Sequence, residues 1–133
     1  MERGSMVLND NPHHRLSVWE HSLAAYTYVK SHTFDELMRN AAVYHDIGKP
    51  LTKSYKSDEN GKLIPVAHYY QHDCVGGYLV YGFDDHDTSG ILLMSWLVCN
   101  HMQPYFMSNY YKSLPVHLKT LVDFLHEADV AAH

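Results

Sequence analysis

The sequence predicts an all-α protein, a compact bundle of five or more helices. Apolar residues recur at spacings of three and four along most of the chain, as in helices that turn one face to a core. The hydrophobic fraction is 46%, enough for a buried core, and 133 residues suit one domain. Neither a repeat, a low-complexity tract nor a linker divides the chain. Residues 1–14 read as an N-terminal tail, with Met6 as an alternative start after a short cloning remnant. Residues 15–133 read as the domain.

The first helix is expected from Ser17 to Ser31, with Val18, Ser22, Ala25 and Val29 along one face. A second is expected from Phe34 to Ile47, capped by Thr33 or Asp35, with Leu37, Met38, Ala41 and Tyr44 as its stripe. Gly48 and Pro50 stop it. Residues 51–67 read as a loop in which the turn Asp58-Glu59-Asn60-Gly61 could join two short extended arms. A third helix is expected from His68 to Tyr81, with His72, Val75 and Leu79 on one side. Gly82 to Gly90 is acidic and turn-rich. A fourth helix runs from Ile91 to His101, before Pro104. Residues 105–114 read as an aromatic loop. Pro115 opens a fifth helix carrying Leu118, Leu121, Val122 and Leu125.

Composition narrows the partners. The formal charge is −5, and Lys plus Arg number only 10, which argues against tight binding to a nucleic-acid backbone. A small nucleotide needs only one or two local cations and stays open. Cys74 and Cys99 lack CxxC spacing, so reduced thiols and a cytoplasmic location are expected. No apolar run is long enough to span a membrane, and the N-terminus lacks the apolar core of a signal peptide.

Twelve histidines stand out. Residues three or four apart share a helix face. On that rule His21 sits with Val18 and Ala25, His45 with Ala41, His72 with Val75, His101 with Leu97, and Asp129 with Leu125. A lone histidine on an apolar face is more often a satisfied core residue. Five helices each placing one ionisable group at the core, with Asp46 beside His45, need a common partner, because an unpartnered buried charge costs several kcal/mol. A metal supplies that partner for all six, as it does in helix bundles with inward-facing ligands. Lys49 follows the His45-Asp46 pair and reads as a point charge for a phosphate oxygen or as an exposed lysine.

The runs WEHSLAAYTYV, HDIGKP, HYYQHDCVGGYL, WLVCNHMQPY and LHEADVA occur in that order. Together they resemble the HD-domain metal-dependent phosphohydrolases. In motif they are most similar to the HD domain attached to bacterial tRNA nucleotidyltransferases, with His68, His72 and Gly76 matching its HxxxHxxxG stretch. The resemblance covers about residues 15 to 131. It implies the HD-domain fold, with His21, His45, Asp46 and Asp129 as core metal ligands. His72 and His101 match the extra histidines of binuclear members, and Asp46 the bridging carboxylate. A chain of this length leaves no room for a nucleotidyltransferase domain, so tRNA maturation does not carry over. The GYP segment of the cyclic-di-GMP phosphodiesterases is absent too.

Four imidazoles and two carboxylates suit two divalent transition ions (Mn, Fe, Ni, Co or Zn) better than Mg. The expected activity is hydrolysis of a phosphomonoester or phosphodiester, with a nucleotide or another small phosphate as substrate, by metal-activated water. Asp46 and Lys49 are the expected catalytic residues. Lys49 and His68 are the expected substrate contacts; His68 reads equally as outer support or as packing. A di-iron oxygenase and a non-catalytic nucleotide sensor are the alternatives. His13, His14, His32, His86, His117, His126 and His133 read as surface residues. Tyr105, Phe106, Tyr110 and Tyr111 read as a base-stacking group, as packing, or as a face between copies in a homo-oligomer.

Overall fold

The computed structural model describes residues 17–82 and 88–133. The tail with His13 and His14, and the acidic turn with His86, lie outside the described residues. In order the elements are α1 (Val18–His32), α2 (Glu36–Tyr44), α3 (Lys49–Thr52), β1 (Lys53–Ser57), β2 (Leu63–Tyr69), α4 (His72–Tyr81), α5 (Thr88–Asn100), α6 (Gln103–Phe106), α7 (Asn109–Lys112) and α8 (Val116–Ala131). The chain is mostly helical, and an antiparallel hairpin of β1 and β2 corrects the all-α expectation. Among the described residues no helix is long and apolar enough to cross a membrane.

Local chemistry sets the starts of the helices. Ser17 Oγ accepts the Glu20 amide at 3.1 Å, and Asp35 Oδ1 accepts the Leu37 amide at 3.0 Å. Each cap is worth about 1 kcal/mol. The hairpin turn is held by Asp58, whose Oδ1 accepts the amides of Asn60 and Lys62, both at 2.9 Å. Gly61 takes the left-handed conformation that this turn needs, with φ +78°.

The hairpin takes residues assigned above to a helix. In Leu63-Ile64-Pro65-Val66, Ile64 and Val66 are β-branched and Pro65 lacks an amide hydrogen, so the run resists helix, and β2 runs on through His68, paired with Ser54. The chain then reverses at Gln71, whose φ is 59°, and α4 begins at His72 instead of His68.

The core joins Ala25 and Val29 of α1, Met38, Ala41 and Ala42 of α2, Val80 of α4, Leu97 and Val98 of α5, and Val122 and Leu125 of α8. Helix α1 lies against α2 and α8, and α4 runs along α5. The buried face of α4 is His72, Gly76, Gly77 and Val80, and Val75 and Leu79 are only half-buried. Glycine makes the difference: a Cβ on Gly77 would lie 2.9 Å from both Cys99 Cβ and Ser95 O. The free thiols of Cys74 and Cys99 face one another here, sulfur to sulfur 4.0 Å. Segment 105–114 is a loop only in part, because it contributes to α6 and forms α7. Ser108 caps α7, and Tyr111 is buried in the core with its hydroxyl on Asp123.

Gly48 does more than stop a helix. The chain turns through residues 45–48 and resumes as α3, with Pro50 in its first turn. A Cβ on Gly48 would sit 2.1 Å from His72 O and 2.7 Å from Gly76 N. The turn carrying His45 and Asp46 therefore lies directly against the start of α4.

Candidate metal centre

Five parts of the chain converge on one buried spot. Helix α1 brings His21, the turn after α2 brings His45 and Asp46, the first residue of α4 is His72, His101 follows α5, and α8 brings Asp129. All six side chains are buried. They form two groups able to hold a metal ion: His21, His45, Asp46 and Asp129, and then Asp46, His72 and His101.

Each imidazole faces the same way. Nδ1 of His21, His45, His72 and His101 points at the backbone carbonyls of Ala132, Ala42, Tyr69 and Val98, at 3.3, 2.6, 3.0 and 2.6 Å. A carbonyl only accepts, so Nδ1 carries the hydrogen and Nε2 is turned inward. In the first group His21 Nε2 is 2.7 Å from Asp129 Oδ1, and His45 Nε2 is 3.2 Å from both His21 Nε2 and Asp129 Oδ1. Asp46 Oδ2 lies 3.3 Å from His45 Nε2 and 3.5 Å from His21 Nε2. In the second group Asp46 Oδ1 lies 3.1 Å from His72 Nε2 and 3.4 Å from His101 Nε2, which are 3.2 Å apart. Asp46 thus turns one oxygen to each group.

These inward atoms fit a metal. Two imidazole lone pairs facing each other at 3.2 Å repel unless a proton or a cation lies between them. Ligand atoms about 2.1 Å from one ion sit about 3.0–3.5 Å apart in octahedral or tetrahedral coordination, which matches the spacings seen except the 2.7 Å between His21 Nε2 and Asp129 Oδ1, a hydrogen-bond distance. Burial alone would push the His45 imidazolium down, yet the carboxylates of Asp46 and Asp129 raise it to about 10. Burial opposes the Asp46 charge too, but His45 and Lys49 hold its carboxyl well below the usual range. Asp129 is likewise held low: burial opposes its charge, and hydrogen bonds with His21 and His45 overcome it. Burial pushes His101 down, keeping it neutral. The site holds its carboxylates ionised and draws positive charge to its centre.

A cavity of about 410 Å³ opens on this centre, reaching Asp46, His72 and Asp129. Lys49, read above as either a phosphate contact or an exposed residue, is buried on its wall. Its Nζ is 3.4 Å from Asp46 Oδ2 and 5.1 Å from the centre of the Tyr69 ring. His68 lines the cavity from β2, half-buried and stacked on Tyr70 at 5.2 Å. It is not one helical turn before His72. Phe106 is on the wall, whereas the Tyr110 hydroxyl accepts the Trp96 indole N–H at 3.1 Å.

One histidine read as surface is half-buried, and another, exposed as expected, still reaches the centre. His133 stacks on His21 at 5.0 Å, comes within 3.8 Å of Asp129 Oδ1, and lines the cavity. It lies four residues beyond Asp129, the helical spacing that would have placed it. His126 is half-buried with its ring edge-on to Tyr105 at 4.6 Å. His32 and His117 are exposed, as expected. Tyr105 donates its hydroxyl to Asp129 Oδ2 at 2.8 Å; burial and the Asp129 charge push its phenol above the usual range. Its position four residues after His101 was the available signal.

The fold and centre define a mostly helical protein with two buried histidine–aspartate groups able to hold metal. No protein-family model, curated protein or solved structure matches the chain.

Proposed function

We propose that this chain is a metal-dependent phosphohydrolase of the HD type, acting on a small phosphate ester of the nucleotide class. One observation carries the reading: four imidazole Nε2 atoms and two carboxylates converge on a centre that a cavity reaches at Asp46, His72 and Asp129, with a buried lysine on the cavity wall. When bound, divalent transition cations supply Lewis acidity, lowering the pKa of water and offsetting charge on phosphoryl oxygens. His21, His45, Asp46 and Asp129 hold one ion, and Asp46, His72 and His101 a second. The Nδ1–H bonds to backbone carbonyls fix the rings before any ion arrives, as outer hydrogen bonds to metal-binding histidines do.

Lys49 orients the substrate. Its ammonium, resting on Tyr69 beside Asp46, takes a non-bridging phosphoryl oxygen as a point charge. The remaining wall, with His68, Tyr70, Met102 and Phe106, is largely apolar and receives the alcohol part of the ester. An anion-seeking lysine at the centre favours phosphate over dioxygen as the reacting group.

The test is metal analysis of freshly purified protein, followed by phosphate release from a panel of nucleotides with the metal found. About two divalent ions per chain are expected, with turnover abolished by a chelator and restored by the ion. A fully loaded protein that releases phosphate from no ester overturns the reading.

A further inference from the structure

We infer that Tyr105 is a positioning residue for the first metal group, fixing Asp129 so that one oxygen alone faces the imidazoles. The inference rests on the metal reading above.

The two carboxylates of the centre are used differently. Asp46 turns Oδ2 to one group and Oδ1 to the other. Asp129 turns only Oδ1 inward, to His21 at 2.7 Å and His45 at 3.2 Å. Its Oδ2 accepts the Tyr105 hydroxyl at 2.8 Å. A carboxylate held by one oxygen can swing, or chelate through both. A hydrogen bond to the second oxygen opposes both movements, because it engages one of that oxygen's two lone pairs and must be broken before the group swings.

Tyr105 is itself anchored. It sits on α6, which packs against α8, the helix that carries Asp129. Its ring meets the edge of His126 at 4.6 Å and 82°, and His126 is three residues before Asp129 on α8. Met107, with φ 49°, ends α6 and returns its amide to Gln103 O at 2.9 Å. The phenol therefore approaches Asp129 from a short, braced element, not a free loop.

The test is cobalt(II) titration of the metal-free full chain, followed by visible absorption and calorimetry, on the parent, Tyr105→Phe and Tyr111→Phe. Phenylalanine keeps the ring in the wall and removes only the hydroxyl. One binding phase should weaken about 10- to 100-fold in Tyr105→Phe, as when an outer hydrogen bond to a ligand is lost. Its cobalt spectrum should shift as Oδ2 is released, while the other phase keeps its affinity. Tyr111→Phe loses a similar phenol–carboxylate bond, to Asp123, away from the centre, and should leave both phases intact. Parent-like affinity and spectrum in Tyr105→Phe overturn the inference and leave the metal reading standing, as does equal weakening in Tyr111→Phe. A parent that takes up no cobalt overturns both.

Discussion

Metal uptake at the first group should expel a proton from His45. In the metal-free fold this imidazole titrates near 10, because Asp46 and Asp129 outweigh the effect of burial. Its Nδ1 hydrogen is committed to Ala42 O at 2.6 Å. The proton that titrates therefore sits on Nε2, between Asp129 Oδ1 at 3.2 Å and Asp46 Oδ2 at 3.3 Å. A metal needs that lone pair. Between pH 7 and 9 its association constant should rise about tenfold per pH unit, or about 1.4 kcal/mol.

The metal-free fold should move in the opposite direction. His45 has a folded pKa above its unfolded value of 6.5, so its contribution is complete below 6.5 and is lost as pH rises through about 10. Asp46 and Asp129 are depressed, so their contributions hold above 3.8 and fade only in strong acid. His101 and His133 are pushed down, so they act below 6.5, where protonation favours the unfolded chain. In the window from pH 7 to 9 His45 dominates. The metal-free chain should lose roughly 2–3 kcal/mol across it, about 10 °C in Tm for a domain of this size. Calorimetry at pH 8 in two buffers of different ionisation enthalpy counts the protons released, with about one from His45 expected. A pH-independent metal constant, or a metal-free Tm that climbs from pH 7 to 9, refutes the reasoning.

Asp46→Ala removes the carboxylate shared by both groups and should abolish metal retention and turnover together, whereas His72→Ala should cost only one of the two ions by metal analysis. Lys49→Met keeps the buried stem and removes a cation 3.4 Å from Asp46. Metal affinity should rise modestly, while KM for a phosphate ester rises about 10- to 100-fold, the worth of a charge-assisted hydrogen bond. An unchanged KM removes Lys49 from substrate binding.

His21 and Asp129 were legible because helical periodicity fixes which face a side chain takes, and their faces were apolar; His45 and His101 directly follow the helices whose periodicity placed them, His72 opens its helix, and Asp46 was placed only by standing beside His45 and by the family resemblance. What periodicity could not show was contact made by backbone. His68 left the third helix because β2 pairs it with Ser54 across a hairpin whose partner strand reads as polar loop. Lys49 read either as a phosphate contact or as an exposed lysine, because nothing local revealed the cavity it lines. Gly48 read as a helix stop, yet its φ of −75° suits any residue, so a local rule assigns it no necessity. Its necessity is nonlocal: an added Cβ would meet His72 O at 2.1 Å and Gly76 N at 2.7 Å, both backbone atoms that no rotamer change can move. Gly48→Ala must push α4 away from the His45-Asp46 turn. Overpacking of this kind costs about 1–3 kcal/mol, and backbone contact puts it at the upper end, against a gain of about 0.4–1 kcal/mol from a stiffer unfolded chain. Because His72 opens α4, the shift also separates His72 Nε2 from Asp46 Oδ1, now 3.1 Å apart, so the second ion should be lost along with several degrees of Tm. Gly61→Ala is the contrast: its φ of +78° costs roughly 1–2 kcal/mol, but nothing lies within 4 Å and the metals should stay. If Gly48→Ala melts with the parent and keeps both ions, the close pass between turn and helix is not what builds the second group.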